Sequence, residues 1–137
     1  MTIDDIHKVQ NQFVESVKVA LSAGFDGVEL HAANGYIIDQ FLRSSSNKRT
    51  DQYGGSTENR ARFLLEILDK ISAVLPLNKV GAKLSLVGRY NSMKEDNPLE
   101  LGKYLCQEFD KRGVLYIQFM EADSYYQPAY ASDPGSK

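Results

Sequence analysis

The stretch Ala23-Gly24-Phe25-Asp26-Gly27-Val28-Glu29-Leu30-His31 decides the fold. Its second half, Asp26 to His31, is short, rich in apolar residues and bounded by glycines, which reads as a buried strand rather than a helix. What precedes it is helical. From Thr2 to about Ala23 the apolar residues Ile6, Val9, Phe13, Val17 and Leu21 recur at three- and four-residue steps, with Thr2 in a capping position and Gly24 at the end. A helix followed by a strand opens an α/β pattern.

The pattern continues downstream. A long polar stretch runs from His31 to Thr57, with a short helical turn expected at Tyr36 to Leu42; loops of this length inside a compact domain are usually functional. Ser56 or Thr57 caps a second helix whose apolar stripe is Phe63, Leu64, Ile67, Leu68, Ile71 and Val74, and Pro76 closes it. Val80-Gly81-Ala82-Lys83-Leu84-Ser85 reads as the next strand. Asn97-Pro98 is a cap followed by an N1 proline and opens a helix burying Leu101, Leu105 and Phe109; Gly113 stops it, and Val114 to Phe119 forms another strand. The tail from Glu121 is polar, aromatic and unpatterned. Helices alternating with strands imply a parallel sheet with right-handed crossovers, either doubly wound or part of a (β/α)8 barrel, and periodicity does not choose between them. The unusual polar residues follow the C-terminal ends of the strands, the face that carries active sites in barrels, although doubly wound sheets bind ligands there too.

Composition narrows the function classes. The chain has 137 residues, 42% hydrophobic and 25% charged, as expected of one soluble globular unit or part of one. A net charge of −2 with no block of Lys or Arg leaves no footprint for nucleic acid, and no apolar run could span a membrane. The one cysteine, Cys106, cannot form an internal disulfide, and on the apolar stripe of the last helix it is expected to be a buried, inert thiol. The acidic start Met1-Thr2-Ile3-Asp4-Asp5 lacks the features of a secretory signal, and Gly135-Ser136-Lys137 is no peroxisomal tripeptide, so a cytoplasmic location is expected.

Three motifs carry a resemblance. Ala23 through Tyr36, continuing to Leu42; Ser46-Asn47-Lys48-Arg49-Thr50-Asp51-Gln52-Tyr53-Gly54-Gly55-Ser56 with Glu58-Asn59-Arg60-Ala61-Arg62-Phe63; and Val80 through Ser85 with Tyr90-Asn91-Ser92-Met93 together resemble the old yellow enzyme family, including its 12-oxophytodienoate reductases. The resemblance covers most of the chain. It implies an FMN-dependent enzyme that reduces activated C=C bonds of α,β-unsaturated carbonyls or quinones with NAD(P)H. It also implies a (β/α)8 barrel, of which residues 1–137 would be a single incomplete central portion, from the third helix to the sixth strand, since a complete barrel needs roughly 200 residues or more.

The same resemblance implies site roles. His31 and Asn34 would donate hydrogen bonds to the substrate oxygen, each such donor contributing about 2.7–4 kcal/mol as enolate charge grows. Tyr36 would be the proton donor, since a phenol ordinarily holds its proton at neutral pH. Lys83 stands where the family usually has an arginine beside the flavin, and keeps the charge without the planar fork. Tyr90 matches an aromatic position over the substrate pocket, where packing is the alternative role, and Leu86 stands where proline is common. A metal site is not expected: His7 and His31 are the only histidines, and no cysteine or carboxylate cluster completes a set. The Asn47 to Gly55 motif lacks the P-loop arrangement, and Arg49, Asp51, Arg60 and Arg62 are expected instead to tie the long loop to the rim.

Two other readings compete. One is a truncated, inactive barrel fragment, unable to hold FMN alone and acting at most as an interaction remnant, because open sheet edges invite self-association. The other is a different FMN-binding barrel or a small doubly wound domain that shares only the scaffold.

Overall fold

A computed structural model describes residues 1–121 of the chain; the polar, aromatic tail beyond them lies outside the described residues. The element order is α1 (Ile3–Ser22), β1 (Val28–Ala32), α2 (Ile37–Leu42), α3 (Thr57–Ile71), β2 (Val80–Leu84), α4 (Pro98–Arg112) and β3 (Tyr116–Phe119). Caps fall where the sequence puts them. Thr2 and Asp5 form a reciprocal capping box on α1, the Ser56 side chain accepts the Asn59 N–H at the start of α3, and Asn97 accepts the Glu100 N–H ahead of Pro98. Gly113, at φ 69°, ends α4 in the left-handed conformation that glycine adopts without a Cβ penalty.

The strands form one parallel sheet in the order β1-β2-β3. Their side chains alternate between two faces. Leu30 and Ala32 of β1 with Val80, Ala82 and Leu84 of β2 join Phe63, Leu64, Ile67, Leu68 and Ile71 of α3 and Leu101, Leu105 and Phe109 of α4 in one continuous core. Phe63 stacks on Phe41 of α2 with centroids 4.1 Å apart, which docks the short helix onto α3. The opposite face carries two rows in register, Glu29-Gly81-Tyr116 and, one step nearer the strand C-termini, His31-Lys83-Gln118. Gly81 leaves room for the Tyr116 ring, which lies directly over it and whose hydroxyl donates to Glu29 at 2.8 Å; a Cβ at Gly81 would displace that ring.

Several expectations change. Strand β1 is shifted to Val28–Ala32 from the expected Asp26 to His31, and α3 ends at Ile71, before Val74 and Pro76. Cys106 is exposed rather than buried, because the core stripe of α4 is Leu101, Leu105 and Phe109 and the next residue round is turned about 100° off it. The third strand starts at Tyr116 rather than Val114, whose N–H is used by the Phe109 carbonyl in closing α4. Among the described residues, no helix is long and apolar enough to cross a membrane.

Candidate functional site

The site grows from the end of β1. His31 is the penultimate residue of the strand, and alternation turns it to the open face. Two buried alanines later the chain bends at Asn34, φ 59°, and Gly35, φ 75°, before Tyr36 caps α2. This elbow folds the Tyr36 ring back to 5.3 Å from the His31 ring, tilted by 49°. His31, Asn34 and Tyr36 are thus gathered at one strand end. Lys83 stands beside His31 in the next strand at the same register. Tyr90 lies farther along the β2–α4 connection, 38% exposed, at the start of a tight turn (Tyr90–Ser92) whose Asn91 and Ser92 have positive φ; the Asn91 side chain donates to the Asn34 carbonyl.

A buried polar cluster supports the elbow. Asp39, fully buried, accepts the Gly35 N–H at 2.9 Å, while Ser85 Oγ accepts the Asn34 N–H at 2.8 Å and lies 3.5 Å from the Asp39 carboxylate. Arg43, 1% exposed, donates to the Ser85 and Gly88 carbonyls and sits 3.7 Å from Asp39. Burial pushes the Asp39 carboxyl up, with the Gly35 N–H and Arg43 pulling the other way; burial likewise pulls the Arg43 guanidinium down against Asp39. Both directions mark charges taken from water without full repayment by their partner. Sequence reasoning gave none of these residues a role. Asp39 on α2 and Arg43, the residue that ends it, are spaced i, i+4, which was the available signal, but such pairs are usually solvent-facing.

A second ion pair holds the loops. Glu95 takes a two-point contact from Arg60, at 2.9 and 3.2 Å, and also accepts the backbone N–H groups of Ser44 and Asn97. Burial pushes the Glu95 carboxyl up, but Arg60 and the two N–H donors outweigh it and hold it below the ordinary carboxylate range. Arg60 therefore does tie the long loop down, through a partner the sequence reading did not name. Arg49 and Asp51 pair with each other at 2.6 Å within the loop, and Arg62 donates to the Gln52 carbonyl. Buried Asn47 cross-links the Phe41 and Tyr53 carbonyls, a structural use of the motif. Leu86 is 6% exposed and packs against α4 at Gly102.

Comparison with known proteins gives the family and the fold. Residues 1–124 match the NADH:flavin oxidoreductase / NADH oxidase family. The chain belongs to this family, that of the old yellow enzymes. It is 41% identical over 133 residues to a probable flavin mononucleotide-dependent alkene reductase of Leishmania infantum, covering 97% of this chain and 36% of that protein. It is 40% identical over 121 residues to 12-oxophytodienoate reductase 2 of Arabidopsis thaliana, covering 88% and 32%. The structure of morphinone reductase in complex with tetrahydroNAD superposes with a TM-score of 0.85 at 40% identity, over 87% of this chain and 33% of that one. The chain therefore spans about a third of the length of the relatives it matches. The likeness also decides between the two α/β architectures: the β1-β2-β3 sheet with its helices is part of a (β/α)8 barrel, and the open face is the one a closed barrel turns inward.

Proposed function

We propose that this protein serves the reduction of activated C=C bonds, in α,β-unsaturated carbonyls or quinones, with NAD(P)H as electron donor and FMN as the bound carrier. The observation that carries this reading is the gathering of an imidazole, a carboxamide and a phenol at one strand end, with a lysine in register beside them. The donor set suits FMN. Among the described residues the Lys83 ammonium has neither an ion-pair nor a hydrogen-bond partner, so its charge is available to the electron-rich edge of a flavin, which Lys83 would hold as a point charge rather than as a fork. When bound, FMN supplies the hydride.

The remaining work falls to the chain's own residues. Among the described residues, neither the His31 imidazole nor the Asn34 carboxamide makes a hydrogen bond, which leaves both to converge on a carbonyl oxygen and stabilise the negative charge that develops there. Tyr36, 52% exposed and packed on the His31 ring, gives its proton to the α-carbon. Tyr90 covers the substrate from the β2–α4 connection.

The test is Tyr36→Phe in the flavin-loaded protein, followed by stopped-flow absorbance. Reduction of the flavin by NAD(P)H stays within about twofold, while its reoxidation by 2-cyclohexen-1-one slows by about 10²–10⁴-fold, the range of a lost general acid. Equal loss in both half-reactions would refute the proton-donor role.

One observation favours a second reading for the 137 residues by themselves. Strands β1 and β3 each have one unpaired edge among the described residues, and Leu115, Tyr116 and Phe119 near one of them are exposed. Such edges pair with other chains. On this reading the isolated chain is colourless and self-associating; a purified yellow monomer excludes it.

A further inference from the structure

Among the described residues, every non-glycine residue of positive φ belongs to one junction: Asn34 at 59°, Asn91 at 55° and Ser92 at 60°. Left-handed backbone is uncommon outside glycine and persists only where its surroundings impose it, so a cluster of such residues points to function. Here the surroundings are explicit. Ser85 Oγ accepts the Asn34 N–H at 2.8 Å, and Asn91 Nδ2 donates to the Asn34 carbonyl at 2.7 Å. Gly35 is packed so closely that a Cβ added there would lie 2.7 Å from Asn91 Cβ and 2.9 Å from Met93 Cγ. Both backbone polar groups of Asn34 are therefore held by the connection between β2 and α4, not by the strand and helix that flank it. Ser85 is itself fixed, since Arg43 donates to its carbonyl and Asp39 faces its hydroxyl.

Clamping the backbone of a residue on both sides fixes the direction in which its Cα–Cβ bond leaves the chain, and a carboxamide has only its own side-chain torsions left to vary. We infer that Ser85 and Asn91 are positioning residues that hold Asn34 at positive φ with its carboxamide toward the carbonyl-binding space, so that the β2–α4 connection sets the strength of that donor. The inference rests on Asn34 being a donor to the substrate oxygen. It adds that a segment about fifty residues away in sequence controls it.

A double-mutant cycle tests this on the oxidised, flavin-loaded protein, with cyclohexanone as the probe and its dissociation constant as the readout. Asn91 is exposed, and because its φ is 55°, Asn91→Ala is run beside Asn91→Gly, which also lacks the carboxamide but carries no left-handed penalty and is expected to give the same result. Asn91→Ala weakens cyclohexanone binding by about five- to tenfold, the worth of one hydrogen bond, and by less than about twofold when Asn34 is already alanine. Equal loss in both backgrounds overturns the inference, as does no loss from Asn91→Ala where Asn34→Ala itself weakens binding; the Asn34 reading then survives. No loss from Asn34→Ala overturns that reading, and the inference falls with it. A readout independent of ligand and turnover is solvent exchange of the Asn34 amide proton by NMR. It speeds up by about tenfold or more in Ser85→Ala, and returns to the wild-type rate in Ser85→Thr, which keeps the accepting hydroxyl. Unchanged exchange in Ser85→Ala refutes the clamp.

Discussion

The two faces of the sheet meet opposite demands, although a single residue step along each strand separates them. Leu30, Ala32, Ala82 and Leu84 lie under the helices with almost no exposure, inside the continuous apolar core. His31, Lys83 and Gln118 stand on the other side in one row, and among the described residues their side chains have no hydrogen-bond partner. The helix-facing side is saturated and carries the stability. The open side is polar: its Glu29–Tyr116 row is hydrogen-bonded, while the next row carries side chains left without partners. Period-two alternation lets five-residue strands serve both ends, because a change on one face does not reach the other.

That separation can be broken by experiment. Phe63 is fully buried and stacked on Phe41, so Phe63→Ala is expected to cost about 3–5 kcal/mol in chemical denaturation, the usual range for emptying an aromatic site in a core. The open face should respond in the reverse manner. His31→Ala is expected to lower kcat for enone reduction by about 10²–10³, equivalent to 2.7–4 kcal/mol, while stability moves by less than about 0.5 kcal/mol. A loss of stability in His31→Ala comparable to that of Phe63→Ala would show that the faces are not independent.

Glu95 sharpens the comparison at the rim, where the faces meet. Its folded carboxyl lies below the unfolded value of 4.5, so its contribution is complete above about pH 4.5 and is lost as pH falls through the lower folded value. Glu95→Gln should therefore cost about 1.5–3 kcal/mol at neutral pH, the worth of hydrogen bonds to a charged group, and the gap from wild type should narrow in acid. A gap that stays constant with pH would contradict the ion-pair account. The smallest effect is expected far from the site: Thr2→Ala removes the cap of α1 and should lower stability by about 1 kcal/mol, with no change in ligand binding.

The helix-facing side was largely legible in the sequence, and the physical reason is local. Ile6, Val9, Phe13 and Val17, or Leu101, Leu105 and Phe109, repeat at the helical period, and Thr2, Ser56, Asn97 and Gly113 mark ends by their own chemistry. Cys106 shows the limit of that logic, since one step beyond Leu105 was enough to leave the stripe. The support beneath the site was not legible. Asp39, Arg43, Ser85, Asn91 and Glu95 matter because they meet partners 35 to 57 residues away, and nothing in a local pattern distinguishes a buried arginine from a solvated one. Resemblance supplied the names His31, Asn34, Tyr36, Lys83 and Tyr90; the fold supplied the reason the elbow at Asn34 keeps its shape.

The most direct measurement is a crystal structure of the flavin-loaded protein soaked with 2-cyclohexen-1-one. The carbonyl oxygen is expected within about 2.7–3.2 Å of both a His31 ring nitrogen and Asn34 Nδ2, with the Tyr36 hydroxyl on the side of the α-carbon. An enone oxygen bound by neither His31 nor Asn34, or one turned toward Lys83 alone, would contradict the account.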